Sequence, residues 1–120
     1  MTDQEIEQEI QDKGLTAPRV TPGDIEASID GEFYFTAEDG VLSVSKTGTE
    51  LAGNAASLRF LTFCVLVLRN GFTVTGESAC ASPENFDAEL GRKIARKAAV
   101  DKLWALMGYA LKQRLHESRM

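Results

Sequence analysis

Four cations fall between positions 92 and 97: Arg92, Lys93, Arg96 and Lys97. The arginines form one i,i+4 pair and the lysines the adjoining pair, so on a helix all four occupy neighbouring stripes. At about 100° per residue, Arg92 and Arg96 line up with Ala99, Leu103, Leu106 and Ala110. Arginines that continue an apolar stripe suit a partly enclosed phosphate or carboxylate, because the planar guanidinium offers two parallel donors. The opposing reading is a solvated helix face that offsets Glu84, Asp87 and Glu89. The residues alone leave both open. Phe33, Tyr34, Phe35 and Trp104 have the burial tendencies of core or interface side chains. An arginine beside an aromatic ring is also the usual clamp for a nucleobase.

Covalent and metal chemistry find little support. His116, the single histidine, stands near the carboxyl end with no nucleophile close in sequence, and reads as a solvated surface residue. Two cysteines and one distant histidine match no zinc pattern. Gly71 and Gly76 belong to a hairpin and open no helix, so no phosphate-binding loop or dinucleotide fingerprint is present. Glu7 with Glu9, and Glu38 with Asp39, read as solvated faces. The expectation is a binding protein rather than an enzyme, with no catalytic residue, metal or cofactor.

The elements that must position these residues lie between positions 58 and 116. Residues 59–68, RFLTFCVLVL, form an apolar run rich in β-branched and aromatic types. Asn70-Gly71 follows, then a second run from Phe72 to Cys80. Asn-Gly between such runs is the strongest short hairpin signal. With those two as the loop, Arg69 faces Phe72, Val67 faces Val74 and Phe63 faces Ser78. In that register Cys64 and Cys80 point to opposite faces, which makes a disulfide poor and fits two free thiols in a reducing cytosol. The first strand is apolar on both faces. One long helix can cover only one of them, so a partner subunit is expected on the other. In the second strand Phe72 and Val74 alternate with Thr73, Thr75 and Glu77, leaving one face polar. Ser82 is the expected N-cap of the long helix, with Pro83 at its first position, and helical composition continues to His116. Gly91 and Gly108 within that helix imply close contacts and favour a homo-oligomer.

The amino-terminal segment, residues 1–36, reads as helical. Thr2 and Glu5 have capping-box spacing, which predicts a short helix that runs to Lys13, stops at Gly14 and docks by Ile6 and Ile10. Thr21 and Pro22 open a second helix that Ile25, Ile29, Phe33 and Tyr34 extend at helical spacing, with Gly31 weakening it. Residues 41–45 alternate like a short strand, residues 46–49 read as a turn, and residues 53–57 as a mobile connector. The 120 residues make one domain of α+β class: an antiparallel hairpin-based sheet packed against a long C-terminal helix, with short N-terminal helices. A net charge of −5 argues against duplex nucleic acid. The acidic amino end lacks an apolar segment, and no apolar run is long enough to span a bilayer.

Residues 61–80, LTFCVLVLRNGFTVTGESAC, continued by Pro83-Glu84-Asn85-Phe86-Asp87 and Gly91-Arg92-Lys93-Ile94-Ala95, closely resemble a family of small tailed-phage proteins catalogued as gene-forty-nine-like and gene-sixty-six-like. Residues 21–35 and 104–111 fit it too, whereas residues 42–57 are longer than the family pattern. The family in turn resembles the Thoeris anti-defence sponges. Those phage proteins sequester a cyclic ADP-ribose isomer made by host TIR enzymes, and in some members cyclic di- or trinucleotides, without cleaving the signal. The resemblance implies an anti-defence protein of the host cytoplasm, a homodimer or higher homo-oligomer whose partner is a cyclic nucleotide. It implies roles as well: Arg92 and Arg96 for the diphosphate; Thr73, Thr75, Ser82 and Asn85 for the riboses; Phe72 or Tyr34 for the adenine. A different class also fits a phage protein of this size, one that binds and inhibits a host protein through the same apolar surface.

Overall fold

The computed structural model describes residues 1–44 and 53–120. In chain order these form α1 (Asp3–Asp12), α2 (Pro22–Ser28), β1 (Ile29–Thr36), α3 (Ala37–Val44), a 3₁₀ helix (Gly53–Phe60), β2 (Leu61–Leu68), β3 (Thr73–Ala79), a 3₁₀ turn (Pro83–Asn85) and α4 (Ala88–Ser118). The strands make an antiparallel sheet in the order β1-β2-β3. One face of it lies under α4, so the architecture is α+β as the sequence implies.

The core sits between that face and the helix. Cys64 and Leu66 of β2, Val74 of β3, and Ala95, Ala99, Val100 and Leu103 of α4 are buried, and Ile25 of α2 closes one side. Alternation along β2 sends Thr62, Cys64 and Leu66 inward. Leu61, Phe63, Val65 and Val67 turn to the other face. There Phe33 pairs with Val65 and Phe35 with Phe63. The Phe35 and Phe63 rings stand 5.4 Å apart. Phe33 remains 58% exposed and Phe35 40%, so neither belongs to the core of the single chain and this face is open in it.

The hairpin register is one residue from the expected one. Val67 pairs with Thr73, Leu66 with Val74 and Phe63 with Glu77. Leu68 N donates to Phe72 O (2.8 Å) and Gly71 N donates to Leu68 O (2.8 Å), so the loop is Arg69-Asn70-Gly71. Only Gly71 has positive φ, at 87°. A type I turn closed by a left-handed glycine therefore replaces the type I′ turn that needs two such residues. Asn70 instead accepts from Phe72 N through its side chain (2.9 Å). Both cysteines are free. Cys64 lies opposite Gly76, so four residues of strand, about 13 Å, separate it from Cys80. Distance along the sheet keeps them apart, not opposite faces.

Several local expectations change. The helix opening at Pro22 ends at Ser28, and residues 29–36 are β1, because Phe33 and Phe35 alternate with Tyr34 and Thr36 and pair with β2. Residues 37–44 are helix, not strand: Thr36 Oγ1 accepts from Asp39 N (3.1 Å) and Asp39 Oδ2 accepts from Thr36 N (3.0 Å), a reciprocal cap. The connector expected at 53–57 is part of the 3₁₀ helix. The turn expected at 46–49 lies outside the described residues. Ser82 makes no side-chain cap; Asp87 caps α4 by accepting from Leu90 N (3.0 Å). Pro83 therefore opens only the 3₁₀ turn, and α4 runs to Ser118 rather than His116. Gly91 is in close contact, since a Cβ there would stand 3.1 Å from Thr62 Oγ1, but Gly108 has nothing within 4 Å.

Candidate functional site

α4 faces the sheet with one side and α1 and α2 with the next. Between these three helices lies a cleft of about 350 Å³, lined by Lys93, Arg96, Lys97 and Trp104 of α4, by Ile25 and Glu26 of α2, and by Asp3 and Gln4 of α1. Three cations, two carboxylates and one indole meet there. Among the described residues no group of three His, Cys, Asp or Glu side chains can hold a metal.

The cations are held differently. Arg96 is half-buried and clamped: Nη2 donates to Glu26 at 3.1 and 2.8 Å, and Nε donates to Glu32 at 2.7 Å. Burial opposes its charge, but the hydrogen bonds to Glu26 and then Glu32 outweigh it and hold the guanidinium above its ordinary pKa. Lys93 pairs with Glu89 (3.4 Å) and Lys97 with Asp101 (3.1 Å), both exposed i,i+4 pairs. Such pairs contribute about 0.3–0.5 kcal/mol, so either lysine re-aims into the cleft at little cost. An anion reaching Arg96 must instead displace carboxylates.

Tyr34 extends the clamp. Its hydroxyl donates to the second oxygen of Glu32 (3.4 Å). Burial first, then the neighbouring Cys64 and Glu32, push the phenol up to about 12. The sequence-level set is thus divided. Arg96 and Tyr34 share a network through Glu32. Arg92 is exposed and makes no ion pair among the described residues. Phe72, Thr73 and Thr75 line a separate groove with Lys102, Leu106 and Tyr109. Asn85 lies beside Phe86 and Leu90 in a third hollow, and Ser82 is exposed in the connector before it. Arg92 and Lys102 are ten residues apart on one helix, about 15 Å, so one small ligand does not bridge these places within one chain. Ala99 and Leu103 of the projected stripe are buried, but Leu106, in the groove beside β3, is 43% exposed and Ala110 is exposed.

Trp104, Asp3 and Gln4 were outside the expected set. Trp104 Nε1 donates to Asp3 Oδ2 (3.2 Å). α1 has no buried residue. It rests on Ile6 and Ile10, which line an apolar hollow with Val20 and Trp104, and on a two-pronged ion pair between Glu7 and Arg19, one prong at 2.7 Å. Hydrogen bonds from Arg19 and then Gln11 lower the Glu7 carboxyl from 4.5 to about 2. A carboxyl held below its unfolded value stabilises the docked state above that value and ceases to do so as pH falls through the folded one. Undocking of α1 is therefore expected between about pH 4.5 and pH 2. Trp104, the only tryptophan, reports it as a red shift in emission. Arg19→Ala should show that shift already at neutral pH; unchanged emission would mean that the ion pair does not hold α1.

A profile of the phage protein (N4 Gp49/phage Sf6 gene 66) family matches residues 20–115. The chain belongs to this family. α1, with Asp3 and Gln4, precedes the matched span, whereas α2, the sheet and the cations of α4 lie within it. No curated protein and no solved structure matches the chain. No helix among the described residues is long and apolar enough to cross a membrane.

Proposed function

We propose that this phage protein sequesters a cyclic nucleotide immune signal, of the cyclic ADP-ribose isomer class, and releases it unchanged on denaturation. The observation that carries the reading is the cleft in which Lys93, Arg96 and Lys97 stand beside Trp104. Cations that gather at one cleft of a chain with net charge −5 make a local anion site. A guanidinium and two mobile ammonium groups suit a diphosphate, and an indole face suits a nucleobase. The ligand class rests on the resemblance of the phage family, to which residues 61–95 are similar, to the anti-defence sponges. The protein binds without catalysing, and acts in the host cytoplasm as a homo-oligomer.

The test is calorimetry with cyclic ADP-ribose isomers, cyclic dinucleotides and inorganic pyrophosphate, on the parent and on Lys93→Ala/Lys97→Ala. Each phosphate-directed lysine is expected to be worth about 1.5 kcal/mol, as a hydrogen bond to a charged group is, so the double variant should bind more than tenfold more weakly with unchanged circular dichroism. Chromatography of the denatured complex should return intact ligand; a hydrolysed product would make the protein an enzyme. Equal binding by parent and variant would remove the lysines from the site.

A second reading is inhibition of a host protein, favoured by the exposed Phe33 and Phe35 beside Phe63 on the open sheet face. Pull-down from host lysate abolished by Phe33→Glu, with no thermal shift by any cyclic nucleotide, would select it.

A further inference from the structure

We propose that α1 is a displaceable cover on the cation cleft, an acidic helix of this chain that competes with an anionic ligand and is released when the ligand binds. This role rests on the cleft as the anion site, and the two can fail separately. α1 carries Asp3, Glu5, Glu7, Glu9 and Asp12 and no cation. Its first turn stands at the cleft, where Asp3 and Gln4 line the same space as Lys93, Arg96 and Lys97. A helix amino end carries about half a positive charge, which by itself favours an anion. The carboxylates of Asp3 and Glu5 outweigh it, so α1 sets negative charge where a phosphate would go. The helix also occupies Trp104. The indole Nε1 is committed to Asp3 Oδ2 (3.2 Å), and Ile6 and Ile10 share an apolar hollow of about 250 Å³ with the ring. Asp3, Pro22 and Trp104 line both that hollow and the cleft of about 350 Å³, so the first turn of α1 stands between them. Lifting α1 joins the two into one basin with a free indole, a concavity suited to a nucleotide.

Little holds the cover down. α1 has 10 residues and buries none of them, and Ile6 is 43% exposed even when docked. Helices shorter than about 12–15 residues are marginal in water on their own. A segment with few buried apolar contacts opens at low free energy. Beyond Trp104 and the two isoleucines, the tie is the ion pair of Glu7 with Arg19. The chain between them is free to swing. Gly14 turns it at φ 66° with nothing within 4 Å of a Cβ there, and residues 15–18 are exposed. The buried core begins at Ile25, so movement about Gly14 leaves it intact. The family match begins at residue 20, which puts the cations of the cleft inside the matched span and the cover outside it.

The experiment titrates inorganic pyrophosphate into the full chain by calorimetry while Trp104 emission is read. Pyrophosphate has no ring, so a change in emission reports α1 rather than stacking. Two variants release the cover: Arg19→Ala breaks the ion pair, and Ile6→Ser/Ile10→Ser strips the apolar contacts at constant charge. Lys13→Ala, taken from an exposed pair with Glu9, controls for the charge lost in Arg19→Ala. Saturating pyrophosphate should red-shift the parent and leave the released variants, already red-shifted, unchanged. Arg19→Ala should bind about three- to tenfold more tightly than Lys13→Ala, and Ile6→Ser/Ile10→Ser more tightly than the parent by the same factor, the reciprocal of the parent's undocked fraction. Parent emission that stays fixed at saturation would overturn the cover. So would parental emission in both released variants, since α1 would then not hang on the contacts that make it displaceable. If Lys93→Ala/Lys97→Ala weakens binding while the released variants bind no more tightly, the cover falls and the cleft stands. If no protein in the set binds pyrophosphate, both fall.

Discussion

Gly76→Ala is expected to lower the unfolding free energy by about 3 kcal/mol or more, because a Cβ there meets backbone more closely than at the other glycines compared among the described residues. A Cβ at position 76 would lie 2.1 Å from the carbonyl oxygen of Ala95 and 2.3 Å from the amide nitrogen of Ala99. Both are backbone atoms of α4, so no rotamer change relieves the contact. Overpacking costs about 1–3 kcal/mol where side chains can give way. Here the whole helix must lift, and Ala95, Ala99 and Leu103 lose their burial with it. Against a total stability of about 5–15 kcal/mol, that separates a folded domain from a marginal one. Gly108→Ala is the contrast. It has open space around it and helical neighbours, so it should stabilise by about 0.5–1 kcal/mol. Urea titration followed by circular dichroism reads both. A Gly76→Ala midpoint equal to that of the parent would mean that α4 does not rest on β3 as described.

The importance of Gly76 was not legible in the sequence, where it reads as one more residue of a hairpin strand. A close approach between helix and strand is a property of two elements, and neither sequence contains it. What periodicity could carry, it carried. The β2 run, a turn at Asn70-Gly71 and a long helix in the last third of the chain follow from local composition, although the start expected at Ser82 moves to Asp87. β1 did not, because Ile25, Ile29 and Phe33 satisfy helical spacing while Phe33 and Phe35 alternate with Tyr34 and Thr36. Pairing with β2 decides between them, and pairing is long-range. The hairpin register turned on whether Asn70 adopts positive φ, a difference of one dihedral that shifts every cross-strand neighbour.

The site shows the same division. That α4 carries a patch of cations was readable from positions 92–97. Which of them is clamped was not, since Glu26 and Glu32 reach Arg96 from seventy and sixty-four residues away. The helical wheel put Arg92 and Arg96 on one stripe, yet Arg92 lies exposed and Arg96 is half-buried. Trp104 and the lysines reach the cleft because α1 and α2 pack on the side of α4 next to the sheet, a placement no spacing along α4 announces.

The clamp makes Arg96 the most informative position for ligand binding. Arg96→Ala leaves Glu26 and Glu32 without the cation that holds them, in a place where each is part-exposed, so its folding cost is expected to be about 1–2 kcal/mol, at the upper end for such pairs. Its effect on affinity for a diphosphate ligand is expected to be larger, about 2–4 kcal/mol, or 30- to 1000-fold, because a bidentate guanidinium contact is lost outright. Glu26→Gln separates the two roles. It removes one carboxylate that competes for the Nη2 donor while keeping a hydrogen-bond acceptor there, so a ligand that uses Arg96 should bind several-fold more tightly to Glu26→Gln than to the parent. A purely structural clamp predicts the reverse pattern: Glu26→Gln weakens the fold slightly and leaves affinity unchanged, and Arg96→Ala, if still folded by circular dichroism, binds as the parent does. Calorimetry with inorganic pyrophosphate and a cyclic ADP-ribose isomer on these two variants decides it. Parental affinity in both would confine Arg96 to tying α2 and β1 onto α4, and would leave the anion chemistry of the cleft to Lys93 and Lys97.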